Sequence, residues 1–449
     1  MHFDINIAFI IFFVVAIAVF KVLKPPMATL TVLLGAWLVL PVGHYPVGSA
    51  EATFPFWITG LATPSDMLLT KAWVGPAAAL MGVMVFDAKT LLTFRPRWVD
   101  APMLAWCAWP VLKSAFVAAA SQPAASVSAL YLTGCWGLPW LLGRLYFSNP
   151  EAQWLMLRAL TWSALACLPF SLYEGAFGPD AYGLIYEAHP FRADGAERYV
   201  GFRPIAFFEH GNQFGIWVSL CALLAVWRFA VLPAGGRRSL AGAVAALSVA
   251  VAMAAQSIGA LLLLGAGGAL LSSSRLVRTR FVVFGALAAL MLSAVFYASG
   301  VIPINQIGKG TAWGQSVVNT FRAAGRGSFT WRISQDQKLL ADIKTHPVVG
   351  SAQWDWWRAK GTRPWGLAML MLGQFGLVGV TLCFGAVLWP ALREAWEAPL
   401  ASGWQLSAMP LLLAVIVGLT MLDALMNSFI FFPAVLMAGS LAGRRQREF

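Results

Sequence analysis

Long apolar runs recur along most of the 449 residues, and they restrict the chain to one class of fold. Hydrophobic residues make up 59% of the chain and charged residues only 11%, far from the composition of a soluble protein. A helix needs about 20 apolar residues to cross a bilayer core. The runs are continuous rather than alternating, which predicts helices rather than a barrel. We therefore expect an all-α polytopic membrane protein that forms a single membrane domain over residues 1–449.

These runs predict about 12–13 transmembrane helices with a large, partly helical outer loop. The predicted spans are residues 5–23, 27–42, 72–87, 101–120, 124–145, 154–172, 205–227, 240–254, 257–271, 281–299, 365–388, 406–425 and 429–441. Polar breaks at Gln256 and Asn427 leave the neighbouring spans short. The first span lacks a basic start and a small-residue cleavage site, so we expect no cleavable signal.

Outside the loop of residues 301–364, most basic residues lie in short connections between spans, on one side of the membrane. These are Lys21, Lys24, Lys89, Arg95, Arg97, Arg144, Arg228, Arg237, Arg238, Arg275, Arg278, Arg280, Arg393, Arg444, Arg445 and Arg447. The positive-inside rule places this side in the cytoplasm. Residues 44–71, 176–204 and 301–364 then face outward, the last as a large periplasmic loop.

The loop of residues 301–364 contains nine basic and three acidic residues, a net charge of +6. Long loops cross the membrane largely regardless of charge, so topology does not explain these cations. They indicate either a bound anion or contact with lipid headgroups and solvent. Arg332 lies in this loop, and His346 follows fourteen residues later, directly before Pro347.

In one straight helix, Arg332 and His346 would share a face but lie about 21 Å apart. Leu339, Leu340 and Ile343 would be its buried stripe, and Pro347 would end it. Two arrangements reconcile this distance with a common function. Either the helix begins after Arg332, or Arg332 binds one part of an extended substrate while His346 meets another.

A second polar group precedes the span at residue 205. Arg198 and Arg203 lie just outside it, and Glu209, His210 and Asn212 enter its first turns. Such side chains are costly against lipid, so we expect them to face the bundle interior. They form either a structural network between helices or the floor of a substrate cavity.

The remaining polar residues predict no cofactor chemistry. The five histidines and five cysteines show no metal-ligand spacing, and no phosphate-binding glycine loop is present. We expect the cysteines to be small core residues, membrane lipids to be partners, and nucleic acid not to be one. Trp354 suits either the membrane interface or a sugar ring, and Lys113 is a cation inside a predicted span with no evident partner.

Two motifs together resemble the bacterial O-antigen ligase and O-antigen polymerase family. They are Arg332 followed by His346-Pro347-Val348-Val349-Gly350, and Arg203 followed by Phe208-Glu209-His210-Gly211-Asn212. Their order and the late large loop extend the likeness to most of the chain. Two segments depart from the pattern. Ile258 follows Ser257 where the family often has arginine, and Ser351-Ala352-Gln353-Trp354 replaces a glycine-rich continuation.

The resemblance implies a metal-independent membrane glycosyltransferase in the bacterial inner membrane, with its active face periplasmic and no cofactor. Its donor would be a glycan on a polyprenyl diphosphate, and its acceptor a glycan, lipid or protein hydroxyl. In family terms, His346 would be the general base, and Arg203 and Arg332 would hold the diphosphate with help from Arg198. The cavity would be lined by Glu209, His210, Asn212 and Trp354.

Other functions fit the same pattern. A lipid-linked oligosaccharide flippase or sugar transporter would also have about twelve spans and polar groups facing a cavity. A scaffold of the cell envelope would leave the spacing of Arg332 and His346 without a role. Within the enzyme interpretation, the residues do not separate a ligase from a polymerase.

Overall fold

A computed structural model of the chain describes residues 3–43, 69–117, 124–189, 197–198, 200–273, 279–299, 310–323, 327–351, 353, 356–357, 364–397, 403–428 and 431–444. Regular structure in these residues is helical, and the only β-type pairing among them is two isolated bridges, Gly43 with Thr70 and Glu197 with Phe202. The chain is therefore an all-α polytopic membrane protein, as its apolar runs predict.

Nineteen α-helices are defined within the described residues. They are α1 (Ile5–Val22), α2 (Pro25–Val39), α3 (Lys71–Phe86), α4 (Ala88–Leu92), α5 (Ala101–Ser114), α6 (Ala125–Leu132), α7 (Leu138–Tyr146), α8 (Pro150–Ala166), α9 (Leu168–Phe177), α10 (Ala181–Ile185), α11 (Gly211–Val231), α12 (Gly236–Ala254), α13 (Ile258–Ser272), α14 (Thr279–Ser299), α15 (Ala312–Ala323), α16 (Gly327–Ile343), α17 (Leu367–Glu397), α18 (Met409–Asp423) and α19 (Phe432–Gly443). A π-helical turn, Thr133–Gly137, joins α6 to α7.

Each predicted span coincides with one of these helices or with a joined pair. Six helical segments of the described chain are long and apolar enough to cross a membrane: Ile5–Val22, Pro150–Phe177, Gly211–Val231, Gly236–Ala254, Leu367–Glu397 and Leu406–Asp423. Five shorter apolar helices accompany them, namely Pro25–Val39, Lys71–Phe86, Ile258–Ser272, Phe281–Ser293 and Phe432–Gly443. The protein is therefore a multi-pass membrane protein.

Several helices meet at one end of the bundle, here called the basic end, through buried ion pairs. Arg144 of α7 donates to both carboxylate oxygens of Asp100, which directly precedes α5, at 2.7 and 2.8 Å. Arg444, after α19, donates to Glu394 of α17 at 2.6 Å. A buried guanidinium needs such a partner because its desolvation is costly. At the basic end, then, the charges of Arg144 and Arg444 are neutralised by carboxylates.

The opposite end of the bundle, here called the polar end, differs from the prediction at the start of α11. The sequence predicts a span from residue 205, but α11 begins at Gly211. Pro204 and the left-handed Ala206 (φ +50°) keep the preceding chain out of the helix. The buried carboxylate of Glu174, on α9, accepts backbone hydrogen bonds from this irregular segment, including one from Ile205 at 2.7 Å. Residues 205–210 are therefore a fixed non-helical connection.

Helix α17 is broken inside the bundle. Gly376 has φ +68° and ψ −175°, so the halves Leu367–Phe375 and Leu377–Glu397 do not form one continuous helix. Such a break frees backbone groups that need partners, because water does not reach them in a membrane. The sequence predicts one uninterrupted span here, over residues 365–388. The glycine alone does not signal a break, since glycine is common in transmembrane helices.

Candidate functional site

Arg203 and Arg332 lie far apart in the chain but come together at the polar end. Arg203 donates to the side-chain oxygen of Asn212, and Asn212 donates in turn to Asn427 at 3.2 Å. Arg332 donates to the same Asn427 oxygen at 2.6 Å. Asn427 donates to Asp423 at 2.8 Å. These five residues are called the arginine cluster below.

Four helices and one connection place the arginine cluster. Gly211 starts α11 without a side chain, and a Cβ there would lie only 2.6 Å from Cδ of Arg203. Hence glycine lets Arg203 lie against the helix start. On α16, the buried Asp336 accepts from the backbone N–H of Trp365 at 2.8 Å, which ties α16 to the start of α17. The guanidinium of Arg332 lies 5.3 Å from the Trp365 ring, a distance that allows a cation–π contact.

The hydrogen bonds that join the two arginines run through amides rather than carboxylates. An amide oxygen accepts a hydrogen bond without cancelling the charge of the donor. Burial lowers the pKa of Arg332, while the nearby carboxylates of Asp423 and Asp336 act in the opposite direction. Arginine nevertheless stays protonated near neutrality. Unlike Arg144 at the basic end, Arg332 has no carboxylate among its described hydrogen-bond partners.

The start of α11 adds positive charge near the arginine cluster. His210 caps the helix, and its Nδ1 accepts from the backbone N–H of Asn212 at 3.0 Å. In the neutral ring the proton therefore lies on Nε2. The positive end of the dipole of a 21-residue helix points toward the arginine cluster. Helix N-termini are common sites for phosphate groups for this reason.

Glu209 does not join the arginine cluster but lies beside a buried lysine. Lys71, at the start of α3, donates to the backbone oxygens of Phe207 and, at 3.2 Å, of Trp37. Its ammonium lies 4.9 Å from the rings of Trp37 and Phe208. Lys71 and Glu209 are 1% and 2% exposed and interact electrostatically. Glu209 thus lies in the protein interior beside Lys71, and its predicted place in a substrate cavity stays a prediction.

His346 lies away from the arginine cluster. Helix α16 begins at Gly327, so the expectation that it begins after Arg332 is wrong. The twelve residues from Arg332 to Ile343 extend about 16 Å along the helix axis, and His346 follows in the next turn with its side chain exposed. The predicted buried stripe of α16 is confirmed, because Leu339, Leu340 and Ile343 are buried. The remaining expectation is that the two residues meet different parts of one substrate.

The segment after His346 docks into the break of α17. The backbone oxygens of Pro347 and Val348 accept from the N–H groups of Leu377 and Val378, at 2.9 and 3.2 Å. Ser351 donates to the oxygen of Gly373 at 2.7 Å. This segment, residues 347–351, is called the docking loop below. The backbone of the docking loop is thus fixed against α17, whereas the side chain of His346 is exposed.

Close approach explains both glycines at this junction. Gly350 has φ +77°, and a Cβ there would lie 2.5 Å from backbone atoms of Gln374. A Cβ on Gly376 would lie 2.1 Å from the oxygen of Val348. No other residue fits either position without moving the backbone.

Two further residues predicted for the site are Arg198 and Trp354. Arg198 is exposed, and its backbone N–H donates to Gly201 at 3.0 Å, so it is not among the side chains of the arginine cluster. Trp354 lies outside the described residues. Gln256 lies two residues before Ile258, the position where the sequence departs from the family pattern. It donates to the backbone oxygens of Val200 and Phe202, so this position holds the chain that leads to Arg203.

Sequence reasoning missed several residues of the polar end. The sequence marks Asn427 only as a break between spans, and Asp336 only as one of the three acidic residues of the loop of residues 301–364. Asp423 lies in a predicted span, where the rule that ionisable residues in membranes are functional or paired identifies it, whereas Lys71 falls in the predicted outer loop of residues 44–71. Lys113 now has partners, since its ammonium donates to Ser351 and Gln374 backbone oxygens.

Metal ligands do not gather in the described part of the chain, where no group of three or more histidine, cysteine or acidic side chains could hold an ion. The five cysteines are free and buried, which confirms them as core residues. No protein-family model matches this chain and no curated protein matches it, so the resemblance to the O-antigen ligases and polymerases rests on the two sequence motifs.

Proposed function

We propose that this protein is a membrane glycosyltransferase of the O-antigen ligase or polymerase type. It transfers a glycan from a polyprenyl diphosphate to an acceptor hydroxyl at the polar end, which faces the periplasm. The arginine cluster carries this proposal, because Arg203 and Arg332 meet through Asn212 and Asn427. Two guanidiniums beside the start of a long helix fit the two phosphates of such a donor.

The reaction needs positioning and charge stabilisation more than a metal. The acceptor oxygen forms a bond to the anomeric carbon of the donor sugar, while the bond from that carbon to the diphosphate oxygen breaks. The proton of the acceptor hydroxyl passes to a base, and the charge of the departing diphosphate rests against Arg203 and Arg332. The donor carries its own activation, so the reaction requires neither ATP nor a divalent cation.

We assign the base to His346, as the family pattern implies. His346 is exposed and lies beyond the end of α16, whereas Arg332 is bonded to Asn427 near the other end. The acceptor therefore approaches along α16 from the His346 side. Because the acceptor oxygen bonds to the carbon next to the diphosphate, transfer requires His346 to come closer to the arginine cluster than α16 holds it. His210 is the competing base, because it lies next to Asn212 in the chain.

Replacing Arg332 with alanine tests the proposed function directly. We expect Arg332→Ala to lower transfer by about 10²-fold or more in proteoliposomes that contain a polyprenyl diphosphate with a short fluorescent glycan and EDTA. Lys338→Ala is the matched control, since Lys338 is an exposed cation on the same helix and donates to Gln335. Full activity in Arg332→Ala would exclude the diphosphate role.

A subtler change separates anion binding from structure. Asn212→Asp keeps the shape of the side chain but places a negative charge next to Arg203 at the start of α11. Negative charge stabilises a helix start, so the melting temperature should hold or rise. The donor should bind about tenfold or more weakly, since one cation is neutralised. Binding is measured with the fluorescent donor in detergent, and unchanged affinity would contradict the proposed role of the arginine cluster.

The broken α17 favours a transporter as the second candidate, because transporters often bind ions at broken helices. In this chain the freed groups are already bonded: Leu377 and Val378 donate to the docking loop, and Gly373 accepts from it. The break therefore offers little open backbone to an ion. Movement of fluorescent donor between leaflets by the wild-type protein, without any transfer, would establish the transporter instead.

A further inference from the structure

Two donors from α5 complete the break of α17. The indole N–H of Trp109 donates to the oxygen of Phe375 at 2.8 Å. One turn later, the ammonium of Lys113 donates to the oxygen of Gln374 at 2.5 Å. A Cβ on Gly379 would touch the Trp109 ring at 3.3 Å, so α5 and α17 are closely packed here. The three remaining bonds to the break come from the docking loop.

Lys113 contacts both sides of this junction. Besides Gln374 in α17, its ammonium donates to the oxygen of Ser351 in the docking loop at 2.7 Å. It also lies 5.0 Å from the centre of the Phe375 ring. The side chain is 5% exposed, and no described carboxylate lies within ion-pair distance of it. Its partners are thus backbone oxygens from two segments that are otherwise separate in the chain.

The charge of Lys113 suits this place. The first half of α17 ends at Phe375, and the negative end of a helix dipole lies at such a C-terminus. A cation at this point binds carbonyls that have lost their helical partners. A neutral side chain would bond the same oxygens with less energy, since charge-assisted hydrogen bonds are roughly twice as strong as neutral ones.

We infer that Lys113 is a positioning residue for His346, a role that rests on the proposed function. The docking loop begins directly after His346, and Gly350 donates back to the backbone oxygen of His346 at 2.9 Å. The place of His346 therefore follows the place of this loop, which Lys113 holds to the membrane bundle. The arginine cluster has separate supports on α11, α16 and α18, so donor binding does not depend on Lys113.

Lys113→Met, a change that keeps the length of the side chain, is compared with Lys338→Met on α16. We expect faster hydrogen exchange in residues 346–351 and 374–378 of Lys113→Met and unchanged exchange in α11 and α18. The rate constant of transfer should fall about 10- to 100-fold, since small misplacements of a catalytic group have effects of that size. The affinity for the fluorescent donor should stay within about twofold of the wild type. Lys338→Met should resemble the wild type in all three measurements.

Lys113→Gln keeps two N–H donors without the charge, and its transfer rate should lie between those of the wild type and Lys113→Met. Unchanged exchange in the docking loop, or a loss of donor affinity equal to the loss of rate, would overturn the inference. Failure of both Lys113 variants to fold would also overturn it, in favour of a folding role. If the wild-type protein transfers no glycan, the proposed function fails, and the exchange data still decide whether Lys113 holds the loop.

Discussion

Replacing His346 with alanine is expected to lower glycan transfer by about 10²–10⁴-fold, the usual effect of removing a general base. The donor should still bind, because Arg203 and Arg332 remain in place. It should then accumulate on the outer leaflet of the membrane. Slow turnover should be detectable with purified protein, since positioning and charge stabilisation survive. The exposed side chain of His346 makes a loss of stability small.

His210→Ala is the informative partner of this variant. His210 caps α11, so its loss should weaken the helix start by about 1 kcal/mol and lower activity only in step with protein level. A greater loss of transfer in folded His210→Ala than in His346→Ala would move the base to the arginine cluster. Leaflet-specific labelling of the lipid-linked glycan also shows in which leaflet of the membrane the donor accumulates. Donor that accumulates on the inner leaflet of His346→Ala cells would exclude the enzyme and favour the transporter.

Removing the buried Lys71 should unfold the polar end. Lys71→Met leaves the carboxylate of Glu209 buried, and one of its oxygens has no hydrogen bond in the described structure. Breaking one half of a buried charge pair typically costs about 3–5 kcal/mol. We expect a large drop in the melting temperature in detergent and little folded protein in the membrane. Lys338→Met, the same change at an exposed site, should have no such effect.

The double variant Lys71→Met with Glu209→Gln tests the cause. Removing the second charge should restore part of the stability, because no uncompensated carboxylate remains. Restoration should be incomplete, since the hydrogen bonds from Lys71 to Trp37 and Phe207 are still absent. Equal stability of the single and double variants would show that the two charges are not coupled.

The apolar runs were sufficient to predict the helices, because bilayer thickness and backbone hydrogen bonding leave a membrane chain little choice. The start of α11 and the break in α17 were not predictable in the same way. Each depends on side chains from distant helices, namely Glu174 for the connection at Ile205 and Lys113 for the carbonyls near Gly376. The local sequence pattern does not show which distant side chains will contact these two segments.

Of the arginine cluster, the sequence predicts Arg203, Arg332 and Asn212 but neither Asp423 nor Asn427 as site residues. Arg203 and Arg332 stand out in a chain with few charges, and their chemistry points to an anion whatever the fold. Asn427, which links them, is a neutral residue at the end of an apolar run, and nothing nearby marks it. Helix geometry predicts the separation of Arg332 and His346, but the sequence does not predict that α16 begins at Gly327.

The break in α17 also bears on the order in which the chain assembles. On its own in a bilayer, α17 would leave five backbone groups near Gly376 without hydrogen bonds, at several kcal/mol each. The ribosome makes α5 and the docking loop first, so the donors and acceptors that complete α17 are waiting before it emerges. Deletion of α5 should therefore leave α17 without two of these partners, and the nascent C-terminal half should become a substrate for membrane proteases.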